Sequence, residues 1–222
     1  MATKDIKLKG VISDLDGVLV NTVPAHFKAW KKMFSEYGRK FTFQDYKKKV
    51  DGIPRTDGAR AVLYDLSPGE LKKAADKKQK YYLDYINKEG VRVYTTSVRL
   101  LKDLKAHGIK IAVISASKNC GLILKKAGIN KIIDIKVDGN DIKKGKPDPE
   151  VFLKALKKLK LGKDECVVFE DAYLGVEAAK RAGIFTVGID RYNNPKRLKK
   201  ADVIVKDLRE MKYGKLKECL EG

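Results

Sequence analysis

The sequence predicts an α/β fold in which a parallel sheet forms the core and a small helical domain is inserted into it. Short apolar segments alternate with segments of about 10–15 residues that carry apolar residues at helical spacing, a pattern typical of βαβ units. The stretch from residue 23 to about residue 93 breaks this alternation, because it contains several helical patterns and no clear strand. The chain therefore leaves the sheet after its first strand and returns near residue 94.

Six segments are predicted to form the sheet. They are short and almost continuously apolar, and several are rich in β-branched residues, which fits parallel strands that helices cover on both faces. In chain order the predicted strands are 10–14, 109–115, 132–137, 166–170, 184–189 and 202–205.

Helical patterns fill the intervals between these strands and the inserted stretch. The predicted covering helices are 97–107, 118–127, 148–160 and 172–182, and the predicted inserted helices are 24–37, 42–49, 55–64 and 67–88. The domain prediction is therefore an α/β core of residues 1–22 and 94–222 and a helical cap domain of residues 23–93.

Composition limits the class of protein. The chain has 222 residues, of which 43% are hydrophobic, and this suits one sizeable core with a smaller attached domain. It contains no run of about 18 apolar residues and no apolar stretch of the signal-peptide type near its start, so no membrane span is expected. Three widely separated cysteines suit a reducing compartment. A cytoplasmic location is expected.

The net charge of +20 favours anionic partners. The lysines, however, alternate with apolar residues at helical spacing, which favours solvated helix faces over a nucleic-acid footprint. No zinc-finger, RRM or helix-turn-helix signature accompanies the charge, so nucleic acid is not the expected partner. A binder of nucleic acid or anionic surfaces without catalysis remains an alternative hypothesis, supported by the charge alone.

Polar residues follow the predicted strands where parallel strands place their carboxyl ends at one edge of a sheet. Asp14 and Asp16 end the first strand and would repel each other by roughly 4 kcal/mol at 4 Å and an effective dielectric of 20. A divalent cation and a lysine would offset that repulsion, and carboxylate oxygens suit Mg²⁺. The other groups at this edge are Ser115, Ser117, Lys118 and Asn119, then Lys146, then Glu170 and Asp171.

This set of side chains predicts a magnesium and phosphate site. One aspartate can attack phosphorus while the other handles protons, and the serine and the lysine can stabilise charge on the transferring group. Each cluster alone also has a structural interpretation. Ser115 could cap a helix, Asp148 and Pro149 could start one, and Glu170 and Asp171 could cap the next.

The four clusters, in this order, resemble the motifs of the haloacid dehalogenase superfamily of phosphotransferases, over essentially the whole chain. The segment "DLDGVLVNT" (14–22) resembles the first motif, and the resemblance implies Asp14 as nucleophile and Asp16 as general acid and base. Ser115 and Lys146 match the second and third motifs, and Glu170 with Asp171 matches the fourth. The implied fold is a Rossmann-like core with an inserted α-helical cap.

Within the superfamily the chain most resembles the β-phosphoglucomutase subfamily, through "HFKAW" (26–30) and "SASKN" (115–119). The resemblance implies Mg²⁺ held by Asp14, the Asp16 carbonyl and Asp171, helped by Glu170. It implies substrate contacts from both domains, at His26, Gly52, Ile53, Arg55, Lys78, Ser117, Lys118 and Asn119. His26 would assist proton transfer, although as a single histidine on a helix it could equally be a packing residue.

The implied activity is transfer of a phosphoryl group on a sugar phosphate, by a β-phosphoglucomutase-like mutase or, alternatively, by a phosphatase of small phosphomonoesters. A small phosphorylated metabolite is the expected partner, and a monomer is the expected state. The cap loop "VDGIPRTDG" (50–58) departs from the subfamily, which has a lysine where this chain has Asp51 and a serine where it has Pro54. Asp51 is therefore expected to place a negative charge near the substrate phosphate.

Overall fold

The structure, a computed structural model, describes residues 8–221. The first seven residues of the predicted core domain and residue 222 lie outside the described residues. A six-stranded parallel sheet forms the core, with strand order β5-β4-β1-β6-β7-β8. Its strands are β1 (Gly10–Asp14), β4 (Lys110–Ile114), β5 (Ile135–Val137), β6 (Cys166–Glu170), β7 (Phe185–Ile189) and β8 (Val203–Val205).

These six strands confirm the predicted parallel sheet. The largest difference is at β5, where residues 130–132 form a 3₁₀ turn and only 135–137 join the sheet. β1 is central: Asp14 is paired with Ile114 of β4, and Ser13 with Phe169 of β6. Asp14 therefore lies at the carboxyl edge, beside the ends of both neighbouring strands.

Helices cover both faces of the sheet. Successive strand residues point to opposite faces, so Val11 packs in the hydrophobic cluster on one face and Ile12 in the cluster on the other. The covering helices are α5 (Thr95–Ala106), α6 (Cys120–Lys126), α7 (Glu150–Leu159), α8 (Tyr173–Arg181) and α9 (Tyr213–Glu221). α9 was not predicted from the sequence.

The inserted stretch forms a helical unit of α1 (Val23–Glu36), α2 (Phe43–Lys49), α3 (Arg55–Arg60) and α4 (Pro68–Glu89). Its members bury a separate hydrophobic cluster that includes Trp30, Phe34 and Leu63. α3 ends at Arg60, four residues earlier than predicted, and α4 begins at Pro68, where Ser67 forms a capping box with Glu70. The division of the chain into two domains remains a prediction.

A two-stranded antiparallel ladder joins the unit to the core. β2 (Val20–Asn21) pairs with β3 (Arg92–Val93), with Val20 opposite Val93. The chain thus leaves and re-enters the core at adjacent points. Two-residue strands leave no periodic signal, so this ladder was not predicted from the sequence. In the described part of the chain, no helix has the length and apolar character needed to cross a membrane.

Candidate active site

The predicted site residues converge on one cavity of about 210 Å³ between the sheet edge and the helical unit. From the core, Asp14, Asp16, Ser115, Ser117, Lys118, Lys146 and Asp171 line it. From the helical unit, His26, Gly52, Ile53, Arg55 and Lys78 line it. Glu170 and Asn119 do not line it, and each is held by another side chain, Lys146 and Gln79 respectively.

Lys146 is the buried cation of the sheet edge. Its Nζ atom lies 2.6 Å from Oδ1 of Asp14 and also donates to the Glu170 carboxylate. Burial raises the pKa of Asp14 well above its usual value; Lys146 opposes this rise, and the charges of Glu170 and Asp16 add to it. Burial lowers the pKa of Lys146, but the two carboxylates outweigh burial and hold that pKa above its usual value.

Glu170 contacts both Lys146 and the start of the following helix. Its Oε1 atom accepts from Lys146, and its Oε2 atom accepts from the backbone N–H of Ala172, 2.9 Å away, at the start of α8. A Cβ atom at Gly175 would overlap this carboxylate. Glycine at that position in the first turn of α8 therefore makes the room in which Glu170 is held.

Asp16 lies among hydroxyl donors. Ser115 Oγ donates to its Oδ2 atom at 3.3 Å, and Thr22 donates to Oδ1. Burial raises the pKa of Asp16, while the hydrogen bonds from Thr22 and Ser115 lower it. The result is a carboxyl with a raised pKa that faces the cavity, which suits a group that gives and takes a proton.

His26 and Lys78 form a buried pair on the helical side of the cavity. Lys78 Nζ lies 2.8 Å from His26 Nδ1, and His26 Nε2 lies 3.8 Å from Oδ1 of Asp16. The His26 ring stacks on Tyr82, and Lys78 Nζ lies 4.9 Å from the centroid of the Trp30 ring. Burial lowers the pKa of Lys78 to about 7, with Asp16 opposing and Arg55 adding to the shift. His26 thus both packs and contacts the site.

The segment after β4 is a turn built by two serine side chains. Ser115 Oγ accepts from the N–H of Ser117, and Ser117 Oγ accepts from the N–H of Asn119, each at 3.1 Å. Ser115 thus forms part of this turn and also faces the site by donating to Asp16, but it does not cap the following helix, which the sequence also allowed. The helix itself begins only at Cys120.

Asn119 differs in placement from the other predicted substrate-binding residues. Its side-chain amide exchanges two hydrogen bonds with that of Gln79 on α4, at 2.8 and 3.1 Å. This reciprocal pair joins the core to the helical unit at the edge of the cavity, and its role toward a substrate remains a prediction. Gln79 lines the cavity and was missed, since a glutamine in a lysine-rich helix carries no distinctive pattern.

Asp171 and Asp14 can hold a divalent cation. Burial raises the pKa of Asp171 well above its usual value, and the charges of Asp51, Glu170 and Asp14 raise it further. A Cβ atom at Gly17, whose φ is +88°, would overlap the Asp171 carboxylate, so glycine leaves the space that this group occupies. Within residues 8–221, no three His, Cys, Asp or Glu side chains form a complete metal cluster. The carboxylates of Asp14 and Asp171 together with the Asp16 carbonyl would suit Mg²⁺, because this ion usually keeps several water ligands and needs only a few from the protein.

Asp51 lies on the Asp171 side of the cavity, among the core carboxylates. Its Oδ2 atom lies 3.7 Å from a guanidinium nitrogen of Arg197, in the segment after β7. Burial raises the pKa of Asp51 to about 6; Arg197 opposes the rise, and Glu170 adds to it. Arg197 was missed because "NNPKRLKK" (193–200) has the pattern of a solvated basic face.

The chain is similar to known proteins over most of its length. The family model of haloacid dehalogenase-like hydrolases matches residues 11–189. A β-phosphoglucomutase of Mycobacterium bovis is 35% identical, with 92% of each chain covered. A phosphorylated carbohydrates phosphatase of Thermotoga maritima is 34% identical, with 80% of this chain and 82% of that protein covered.

A solved structure extends the similarity to three dimensions. The crystal structure of a β-phosphoglucomutase from Clostridium difficile superposes with a TM-score of 0.89 and 31% identity, covering 96% of this chain and 97% of the other. The chain therefore belongs to the haloacid dehalogenase-like hydrolase family and, within it, to the β-phosphoglucomutase-like subfamily.

Proposed function

We propose that this protein is a Mg²⁺-dependent sugar-phosphate mutase of the β-phosphoglucomutase type that works through an aspartyl-phosphate at Asp14. The observation that carries the proposal is that cations reach the cavity from both sides. Lys146 approaches from the sheet edge, and Lys78 and Arg55 approach from the helical unit. A mutase needs cations on both sides because its bisphosphate intermediate carries two phosphates, whereas hydrolysis of a monoester needs only one such group.

In the first step, a carboxylate oxygen of Asp14 attacks one phosphorus of the sugar bisphosphate, so the sugar keeps its other phosphate. The bond from phosphorus to the sugar oxygen breaks, and protonated Asp16 gives its proton to that leaving oxygen. Lys146 holds Oδ1 of Asp14 at 2.6 Å and fixes the orientation of the nucleophile. Ser115, whose Oγ atom accepts from the N–H of Ser117, would bind a phosphoryl oxygen.

In the second step, a hydroxyl of the sugar monophosphate attacks the phosphorus of the aspartyl-phosphate, and the monophosphate becomes the bisphosphate again. Asp16 takes the proton of that hydroxyl, and the bond from phosphorus to Asp14 breaks. Ser115 and Thr22 hold the two oxygens of Asp16, and His26 lies next to them, so the orientation of Asp16 stays fixed while its proton moves.

Asp14, the Asp16 carbonyl and Asp171 would hold Mg²⁺, which when bound would neutralise negative charge on the transferring phosphoryl group. Glu170 would support this set from behind through Lys146 and the N–H of Ala172. The raised pKa values of Asp14 and Asp171 support the need for such a cation.

The helical unit would act as a cap that keeps water away from the aspartyl-phosphate. Gly52 comes close to Ala172, and Pro54 packs against Gly145 next to Lys146. The Gln79–Asn119 pair adds a further contact. The cap loop thus touches the core on two loops that carry site residues.

The test is ³¹P NMR of the enzyme with Mg²⁺, β-glucose 1-phosphate and a bisphosphate primer, repeated with other sugar phosphates. The signal of an isomerised ester is expected for at least one substrate. EDTA should abolish turnover, and added Mg²⁺ should restore it. Inorganic phosphate as the sole product from every substrate would exclude the mutase.

The second candidate is a phosphatase of small phosphomonoesters, with water as acceptor and Asp16 as its base. The Thermotoga maritima phosphatase, almost as similar as the mutases, favours it. Asp51 and Pro54, where the subfamily has a lysine and a serine, favour a substrate other than that of the typical mutase. Clean isomerisation of one ester without phosphate release would exclude this candidate.

A further inference from the structure

The cap loop of residues 50–54 carries a charged contact that bridges the helical unit and the core. The guanidinium of Arg197 lies 3.7 Å from Oδ2 of Asp51, and both side chains are largely buried, with 19% and 12% of their surfaces exposed. Oδ2 of Asp51 has no hydrogen-bond partner among the described residues, so attraction between charges is what joins the two groups.

The core side of this contact is rigidly built. The Asp190 carboxylate accepts from the N–H groups of Tyr192 and Asn194, at 3.1 and 3.0 Å, and so fixes the turn after β7. The Arg197 guanidinium stacks 4.5 Å from the centroid of the Tyr192 ring. Arg197 therefore reaches Asp51 from a fixed position.

The same turn also touches the helical unit through Tyr192. Phe43 meets its ring edge-on at 6.0 Å, and Lys47 Nζ lies 5.2 Å from its centroid. The segment after β7 thus holds α2 through Tyr192 and the cap loop through Arg197. This contact lies on a different side of the cavity from the Gln79–Asn119 pair, which uses the segment after β4.

The charges around Asp51 make Arg197 necessary for this arrangement. The carboxylate of Asp51 lies close enough to those of Asp171 and Glu170 for their negative charges to repel one another. Without Arg197, only the Tyr46 hydroxyl and the charge of Lys146 would stabilise the buried Asp51 carboxylate against these groups, which is unfavourable. Replacing Asp51 by asparagine removes the repulsion together with the attraction, so the two single substitutions are not equivalent.

We infer that Arg197 and Asp51 form a latch that holds the 50–54 loop closed over the Asp171 side of the cavity, and that this latch directs the phosphoryl group to a sugar hydroxyl instead of water. The second half of this inference rests on the proposed function. In the subfamily pattern that the sequence resembles, a lysine stands at the position of Asp51, so the latch is a property of this chain.

Closure can be measured without turnover through Trp30, the single tryptophan of the chain, which lines the cavity. Acrylamide quenching of Trp30 fluorescence in the substrate-free protein reports access to that cavity. Arg197→Gln should raise the quenching constant by roughly twofold as the open state is populated. The quenching constant of Arg197→Lys should stay near that of wild type, because the positive charge is kept. The quenching constant of Asp51→Asn should rise less than that of Arg197→Gln, because this substitution removes the repulsion together with the attraction.

The double variant Arg197→Gln/Asp51→Asn is the critical test of the latch. Its quenching constant should be lower than that of Arg197→Gln alone, because the unpaired Asp51 charge is also removed. Lys180→Gln is the matched control. It breaks a partly exposed 2.7 Å pair with Asp202 in which both residues belong to the α/β core, so it should leave quenching unchanged. Thermal unfolding monitored by circular dichroism checks that each variant is folded. Unchanged quenching in Arg197→Gln, or greater quenching in the double variant, would overturn the latch.

The second half of the inference is the acceptor role of the latch, its selection of a sugar hydroxyl over water as the acceptor. This role is tested by the ratio of isomerised ester to inorganic phosphate in ³¹P NMR. Arg197→Gln should lower this ratio by about tenfold, and the double variant should recover part of it. An unchanged ratio in a variant with raised quenching would refute the acceptor role. If the wild-type enzyme forms no isomer at all, the mutase proposal and the acceptor role fail together, while the quenching result still decides the latch.

Discussion

The Nζ atom of Lys146 lies 2.6 Å from Oδ1 of Asp14 and also contacts a carboxylate oxygen of Glu170. One buried cation is thus shared by two buried carboxylates that arrive from different strands, β1 and β6. This arrangement explains how acids are tolerated at the end of a strand whose five residues are all buried. It also makes Lys146 a structural as well as a chemical part of the site.

Lys146→Met should therefore destabilise the fold by about 3–5 kcal/mol, because it leaves buried carboxylates without their cation. Urea unfolding of the two proteins measures the difference. Lys49→Met is the control, since its i,i+4 pair with Asp45 is exposed and screened by solvent and should contribute little to stability. Equal stability of Lys146→Met and wild type would show that the shared ion pair does not hold the sheet edge together.

Asp14→Asn should abolish turnover while the fold is kept. The amide has nearly the shape of the carboxylate but cannot act as the nucleophile, and the substitution removes a buried charge whose pKa burial has raised. Phosphate release and ester isomerisation are measured together by ³¹P NMR. Asp103→Asn, an exposed change on α5, should retain full activity. Activity of Asp14→Asn within about tenfold of wild type would refute the assignment of the nucleophile.

Gly17→Ala should weaken Mg²⁺ binding as well as the fold. At φ +88° any side chain is strained by about 1–2 kcal/mol, and a Cβ atom would also displace the Asp171 carboxylate. Gly38→Ala is the matched control, because its φ is +68° and nothing lies within 4 Å of the added Cβ atom. Titration calorimetry should show weaker Mg²⁺ binding in Gly17→Ala than in Gly38→Ala. Equal Mg²⁺ affinity in the two variants would show that Asp171 is not a ligand of the metal.

These residues also show what the sequence could predict. The polar groups at the sheet edge were predictable, because parallel strands place their carboxyl ends together and each cluster follows a strand of apolar residues. The contacts between the helical unit and the core could not be predicted, because they join residues that are distant along the chain. Arg197 reaches Asp51, and Gln79 reaches Asn119, through the docking of the helical unit on the core. Neither pair leaves a local pattern.

Asp51 illustrates the same limit. The sequence placed a negative charge in the cap loop and predicted that it would oppose a substrate phosphate. In the structure that charge faces Arg197 and lies near Asp171 and Glu170. The residue type was evident from the sequence, but the partner that compensates its charge could be identified only once the segment after β7 was placed beside it.

The pKa of Lys78, which burial lowers to about 7 from 10.5, gives two pH-dependent expectations. Between pH 7 and 10.5 the unfolded chain holds a proton on this group that the folded chain has released. By linkage, the contribution of Lys78 to stability therefore rises with pH across this interval. Lys78→Met should remove that part of the slope when the free energy of unfolding is measured by urea at several pH values. An unchanged slope would mean that the amine is not desolvated.

The second expectation concerns anion binding by the helical side of the cavity. Sulfate stays a dianion between pH 6 and 8, so it reports the charge of Lys78 without titrating itself. Its affinity should fall by about tenfold over that range as the amine loses its proton. Binding can be followed by the fluorescence of Trp30, whose ring lies 4.9 Å from Lys78 Nζ. Lys78→Arg, which keeps its charge throughout, should bind sulfate with a nearly flat pH profile. A wild-type profile as flat as that of Lys78→Arg would show that Lys78 is not the anion-binding group that titrates near neutrality.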